Sequence, residues 1–237
     1  AELVDTFNRY ADLQNAEHAA EIAAGTFTPI AHSSPEFIEK ASGIQNRYVM
    51  EKTGVLDPTR MRPRFKARPD DALSLMAEIS VEAALDAIKR AGKTTADVDA
   101  VICASANMQR AYPAMAIEVQ TVLNIKGFGF DMNVACSSAT FGIEMAANMV
   151  KSCAARAVLV INPEITSAHL AWKDRDCHFI FGDVCTAILV QRLDLAPDGA
   201  FEILGTKCFT QFSNNIRNNF GFMSHAEDRN VDDRDQL

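Results

Sequence analysis

Cys136 sits in FDMNVACSSATFGIEMAANMV (130–150), where an apolar run gives way to a string of small residues. A thiol at the start of a helix feels the positive end of the helix dipole and free backbone N–H groups, and both favour the thiolate. A thiolate is a good nucleophile toward thioesters, and the same N–H groups can stabilise the oxyanion formed when a carbonyl is attacked. The competing reading is that Cys136 is a small buried residue, because free cysteine is among the most buried residue types. The placement alone leaves both open. The other cysteines are Cys103, Cys153, Cys177, Cys185 and Cys208; none of the six forms a CxxC pair, and most lie in apolar runs. They read as reduced thiols of a cytoplasmic protein. His18, His32, His169, His178 and His225 do not converge with the cysteines on a metal-binding spacing, so no metal is expected and the histidines read as polar core or surface groups.

The elements that must position Cys136 follow from periodicity. Residues 2–24 carry Leu3, Phe7, Tyr10 and Leu13 at helical spacing, stopped by Gly25. Pro35 opens a short helix, PEFIEKAS, ended by Gly43. Residues 51–70 hold three prolines with Arg60, Arg62, Arg64 and Arg68, and read as a long surface loop. Asp70 or Asp71 then caps a helix with Leu73, Met76, Ala77, Ala84, Ala87 and Ile88 on one face, ended by Gly92. DVDAVICAS (97–105) is apolar like a buried parallel strand, and a helix over 113–124 opens at Pro113. FGFDMNVAC is read as a central strand, 137–152 as a helix, and AVLVINPE (157–164), 183–191 and 200–208 as further strands. In the helix after Cys136, Ser138, Gly142 and Ala146 recur every four residues, so that face can press closely on a neighbour. Strands alternating with helices give an α/β fold with a mostly parallel sheet between helix layers.

A chain of 237 residues with 48% hydrophobic content can bury a real core. Its net charge is −8; lysines and arginines are scattered and no stretch reads as a basic stripe with interleaved aromatics, which argues against nucleic-acid binding. No apolar run reaches membrane-spanning length.

FDMNVACSSATFGI resembles the nucleophile motif of the thiolase-like condensing enzymes, and within them the β-ketoacyl-acyl-carrier-protein synthase III family. Three further segments agree in order: ASGIQNRYV (41–49), DVDAVICASANMQRAYPAMAIEVQTVLNI (97–125) and RDCHFIFGDVCTAILV (175–190), so the match is collinear from about 35 to 208. The resemblance implies a thiolase-like fold and a decarboxylative Claisen condensation. An acyl group passes from acyl-CoA to Cys136 and condenses with malonyl carried on acyl carrier protein, in fatty acid synthesis. It implies CoA contact for Arg175, a place for Tyr112 at the partner subunit's acyl pocket, and supporting roles for Asp183 and Arg47. Phe37 stands where the family often has a tryptophan that stacks on the CoA adenine, and Ala41 where it often has an arginine. Val184, Cys185 and Thr186 replace small residues after the FGD segment.

The resemblance further implies a homodimer, no cofactor beyond the acyl-CoA substrate, and a catalytic histidine and asparagine in a second half of the fold. No histidine of residues 1–237 falls in those motifs. The chain is therefore expected to be the N-terminal half of a longer protein. It carries a helical extension over about 1–34 and the Arg/Pro loop over about 51–70. Family members with such extensions imply a longer, medium-chain primer. Other chemistry on this fold stands beside this reading: acyl transfer to another acceptor, hydroxymethylglutaryl-CoA synthesis, or a non-catalytic partner subunit.

Overall fold

The computed structural model describes residues 1–215, Met223 and Ala226; His225 and most of the polar tail from Asn214 lie outside them. The chain divides into two compact units. The first comprises residues 1–66, 166–183 and 211–237, and the second comprises 67–165 and 184–210.

The first unit holds α1 (Glu2–Glu17), α2 (Ala19–Ala23), α3 (Pro35–Ser42) and α4 (Lys52–Val55). The helix expected over 2–24 is thus two helices separated at His18, whose φ of −95° and ψ of 22° depart from helical values. The expected helix at PEFIEKAS is α3: the Ser34 side chain accepts the Phe37 N–H, and Gly43 closes it in the left-handed region at φ 73°. The 51–70 stretch is irregular except for α4, whose Glu51 carboxylate caps the N–H groups of Thr53 and Gly54. Two apolar clusters hold the unit together, Phe7, Val55, Met61 and Trp172 in one and Val4, Ile38 and Phe179 in the other.

The second unit is the layered α/β body. In order it contains α5 (Leu75–Arg90), β1 (Ala100–Ala104), α6 (Met115–Val122), β2 (Phe128–Met132), α7 (Ser138–Lys151), β3 (Ala157–Ile165) and all of β4 (Asp183–Gln191) but its first residue, Asp183. The strand order is β2-β1-β3-β4, with β1 parallel to both β2 and β3. Period-two alternation sends Val101 and Cys103 of β1 and Leu159 and Ile161 of β3 to one face, against α5 and α6. It sends Ala100, Ile102, Ala104, Val158 and Val160 to the other face, with Ala146 of α7. The sheet therefore lies between helix layers, as read from the sequence. The β1–α6–β2 and β2–α7–β3 crossovers move in opposite directions along the sheet and use opposite faces, which keeps both connections the same hand.

Three expectations change. The strand leading to Cys136 is not central: β2 is the outer strand beside β1, and it is only partly buried, whereas β1 is buried throughout. An apolar run alone does not distinguish an edge from a centre. The cap of α5 is Ser74, whose Oγ accepts the Ala77 N–H at 3.1 Å; Asp70 and Asp71 lie in a turn further upstream. Residues 200–208 form no strand: Phe201 and Leu204 are 99% and 87% exposed, and the segment joins none of the ladders among the described residues. Its apolar alternation has no partner backbone to pair with.

Candidate active site

Cys136 is reached from β2 by way of Asn133 and Val134. It lies in a single 3-10 turn, Ala135–Ser137, that runs directly into α7. The turn is shaped by an alanine, Ala135, at φ 47°. That region costs an L-residue with a Cβ about 1–2 kcal/mol, so something must hold it there. Two side chains do. Asn133 Oδ1 accepts the Ala135 N–H at 2.8 Å, while its Nδ2 donates to Ala106 O at 2.7 Å, tying the turn to the loop after β1. Ser138 Oγ donates to Ala135 O at 2.7 Å and accepts the Val134 N–H at 2.8 Å. Ser138 carried a signal as a small residue, but its bridging role and that of Asn133 were missed. The Asn-X-Ala spacing, in which an Asn side chain bonds the backbone two residues on, is the local pattern that marks it.

Behind the turn, the small-residue stripe does what its spacing implies. Ser138, Gly142 and Ala146 are all buried. A Cβ built on Gly142 would stand 2.8 Å from Val160 Cγ1 and 3.2 Å from Ala104 Cβ, so α7 rests on β1 and β3 almost at backbone distance. Cys136 is thereby set at the end of a helix fixed on a rigid sheet.

The six cysteines are not equivalent, and only Cys103 is fully buried, fewer than their apolar sequence context implied. Burial pushes the Cys103 thiol up, and lifts Cys177 and Cys185 to about 11. Cys208 is raised chiefly by its hydrogen bond to the Glu144 carboxylate. Cys136 and Cys153 are the exposed pair, and of these Cys136 stands at the start of a helix.

Four of the other candidates lie in the first unit. Arg175 and Phe37 come together there: the guanidinium carbon is 4.4 Å from the Phe37 ring centroid, and Arg175 Nε donates to His32 O at 2.8 Å. Phe37 in turn meets Phe179 edge-on at 6.5 Å. A planar cation over an aromatic ring is a surface on which a purine can stack and a phosphate can pair. Asp183 Oδ1 accepts the Ser167 N–H at 2.9 Å, and Oδ2 accepts the Ser167 hydroxyl at 2.7 Å and the Met50 N–H at 2.8 Å. Its own N–H donates to Tyr48 O at 2.8 Å, so this one carboxylate pins three segments. Arg47 donates from Nε and Nη2 to Ile180 O and from Nη1 to Asn46 O. Gly182 permits this close approach, since a Cβ there would stand 2.6 Å from Tyr48 O. Tyr112 belongs to the second unit and is 85% exposed.

His178 is fully buried against Phe7, ring to ring at 4.5 Å; its Nδ1 lies 2.9 Å from Arg175 O and its Nε2 is buried without a partner. Burial holds it below its ordinary value of 6.5, as a neutral core group.

The family model for 3-oxoacyl-[acyl-carrier-protein (ACP)] synthase III matches residues 130–211, which begin in β2 and include Cys136, Arg175 and Asp183. The chain is 52% identical over 235 residues to a beta-ketodecanoyl-[acyl-carrier-protein] synthase of Pseudomonas aeruginosa, covering 99% of this chain and 67% of that protein. The chain belongs to the 3-oxoacyl-[acyl-carrier-protein] synthase III family. It is also 33% identical over 183 residues to a synthase III of Granulibacter bethesdensis, covering 77% of this chain and 54% of the relative. Among solved structures, the synthase III of Aquifex aeolicus aligns with a TM-score of 0.55 at 27% identity, over 68% of this chain and 46% of that one. The chain thus spans two thirds of the Pseudomonas beta-ketodecanoyl-[acyl-carrier-protein] synthase and about half of the other two relatives. Among the described residues no helix is long and apolar enough to cross a membrane.

Proposed function

We propose that the protein catalyses acyl-CoA-primed condensation with malonyl-acyl carrier protein in fatty acid synthesis. The observation that carries the reading is the placement of Cys136 on the braced turn between β2 and α7, in a chain of the synthase III family. In this reading the Cys136 thiolate attacks the acyl-CoA carbonyl. A carbon–sulfur bond forms, and the CoA sulfur leaves and takes a proton. The N–H groups at the start of α7 face the oxyanion. Loss of CO2 from the malonyl thioester then leaves an enolate carbon. It attacks the acyl-cysteine, forms the new carbon–carbon bond and expels the Cys136 thiolate, giving β-ketoacyl-acyl carrier protein.

Arg175 stacked on Phe37 supports a CoA site, with phenylalanine serving as the stacking ring. Asp183 and Arg47 hold the segments around it and do no chemistry, and Tyr112 lines an acyl pocket across a homodimer. The outer position of β2 leaves an edge along which a second copy can pair. The histidine and asparagine that stabilise the enolate come from outside residues 1–237. The protein works in the cytoplasm.

The beta-ketodecanoyl product named for the Pseudomonas relative corresponds to an eight-carbon primer extended by two carbons. We therefore take octanoyl-CoA as the preferred primer. The test is product formation by the complete protein from malonyl-acyl carrier protein with acetyl-, octanoyl- or dodecanoyl-CoA. Preference for octanoyl-CoA, abolished in Cys136→Ala, is the expected result. Condensation that survives Cys136→Ala would refute the reading.

A further inference from the structure

α1 buries Val4, Phe7 and Ala11, and beside that stripe it presents Asn8, Asp12 and Asn15 at helical spacing. The three side chains grip one strip of chain, residues 30–33. Asn8 Oδ1 accepts the Ser33 N–H at 2.8 Å, and its Nδ2 donates to Ser33 O at 3.1 Å. Asn15 does the same for Ile30, accepting its N–H at 2.8 Å and donating to its O at 3.0 Å. Each amide thus satisfies both backbone groups of one residue, as a neighbouring strand would. The lengths agree: from residue 8 to 15 a helix rises about 10.5 Å, and from residue 30 to 33 an extended chain spans about 10 Å. Between the two bridges His32 Nε2 lies 2.7 Å from Asp12 Oδ1, an exposed contact of small weight.

The clamped strip sets both members of the Arg175–Phe37 pair. His32 O accepts the Arg175 Nε–H at 2.8 Å and restrains the guanidinium, whose carbon stands 4.4 Å from the Phe37 ring centroid. One residue beyond the Asn8 bridge, Ser34 Oγ accepts the Phe37 N–H at 3.0 Å and starts α3, which carries the ring. α1 reaches Arg175 a second time: the Phe7 ring stacks on His178 at 4.5 Å, and His178 Nδ1 lies 2.9 Å from Arg175 O. The carboxylate that pairs with the guanidinium, Asp176, is 83% exposed with Oδ1 3.6 Å from Arg175 Nη1, so a phosphate can replace it. Every residue in this relay belongs to the first unit.

We propose that Asn8 and Asn15 are positioning residues of the acyl-donor site: they hold residues 30–34 so that Arg175 lies over Phe37 before the adenine nucleotide of CoA arrives. The proposal rests on the acyl-CoA reading above and deepens it, giving the helical extension a part in selecting the donor. A long guanidinium side chain loses rotamer freedom when it engages a ligand, and holding it in place beforehand lowers that cost. The gain falls on the nucleotide alone, because a thioester that lacks one has nothing for the pair to hold. That difference separates positioning from a merely structural role for α1.

The experiment uses the complete protein with Asn8→Ala/Asn15→Ala, and with Asn15→Ala alone, which removes one bridge and carries the test if the double variant does not fold. Gln14→Ala, whose amide bonds Glu17 within α1, is the control. Three quantities are read: Kd for CoA, the half-saturating concentration and maximal rate of Cys136 acylation by octanoyl-CoA, and the rate of acylation by octanoyl-N-acetylcysteamine, the same thioester without the nucleotide. The expected result is that the double variant raises Kd and the half-saturating concentration about tenfold and the single variant about threefold. The maximal rate, the N-acetylcysteamine rate and the control stay unchanged. Combined with Arg175→Ala, which weakens CoA by itself, the clamp substitutions add no further loss. Equal losses with both thioesters overturn the proposal, as do unchanged CoA affinity in a folded variant and losses that add fully to those of Arg175→Ala. Clamp-dependent CoA binding in a protein whose Cys136 takes no acyl group would sink the function reading and leave the positioning role standing. Acylation by octanoyl-CoA with a CoA affinity indifferent to the clamp would do the reverse.

Discussion

Gly142→Ala is a one-carbon change whose sign is decided by how α7 sits on the sheet. Replacing glycine in the interior of a helix ordinarily stabilises it by about 0.5–1 kcal/mol. Here the added carbon would stand 2.8 Å from Val160 Cγ1 and 3.2 Å from Ala104 Cβ. Ordinary carbon contacts are about 3.5–4.0 Å, so the nearer one is short by roughly 0.7 Å. Neither neighbour yields easily: valine is stiff at χ1, and the Ala104 Cβ belongs to a buried strand. Overpacking of this kind costs about 1–3 kcal/mol, so the net effect is a destabilisation of about 1 kcal/mol. For a chain of this size that lowers Tm by about 2–4 °C. Relief by a tilt of α7 also displaces the turn that carries Cys136. Acylation of Cys136 should fall several-fold, because a shift of about 1 Å can cost about a hundredfold. The assay is thermal unfolding of the complete protein alongside the acylation rate. Val160→Ala/Gly142→Ala completes a cycle in which the two changes are coupled favourably. A Tm that rises by the helix-propensity gain, with an unaltered acylation rate, would refute the close seating of α7.

Three further perturbations address the rest of the site. Asn133→Ala removes both the Ala135 N–H acceptor and the donor to Ala106 O. Being exposed, the residue should cost stability no more than about 1 kcal/mol, while the acylation rate falls by about tenfold; a large loss of Tm with an unchanged rate would contradict this. Asp183→Asn puts an amide where the carboxylate accepts three hydrogens, from Ser167 and Met50, and should destabilise by about 1–3 kcal/mol in urea unfolding; a neutral result would remove Asp183 from its pinning role. His178 is held neutral by burial, below 6.5, so the unfolded chain binds the extra proton. Its contribution is fully present above 6.5 and is lost as pH falls through that value toward the folded one; His178→Phe should flatten unfolding midpoints measured across that window, and an unaltered slope would count against it.

How much of this was legible in the sequence depends on whether the signal is local. The layers were, because the periods of β1, β3, α5 and α7 are set by burial on one or two faces. The Ser138, Gly142 and Ala146 stripe was, because close packing needs small residues at helical spacing. The rank of β2 in the sheet was not, since an apolar run reports burial and not neighbours. Residues 200–208 misled for a related reason: alternation without a pairing partner stays irregular. The Ser74 cap was overlooked because Asp70 and Asp71 are equally good caps by type, and only the Ala77 N–H geometry chooses between them. Arg175 and Phe37 lie far apart in sequence, and their stacking is visible only in three dimensions.

The central claim is that Cys136 accepts the acyl group. The most direct test is the intact mass of the complete protein before and after incubation with octanoyl-CoA, with Cys136→Ala alongside. The account predicts an octanoyl-sized increase that is released by hydroxylamine and absent from the variant. No increase in a folded protein, or an adduct that persists in Cys136→Ala, would contradict it.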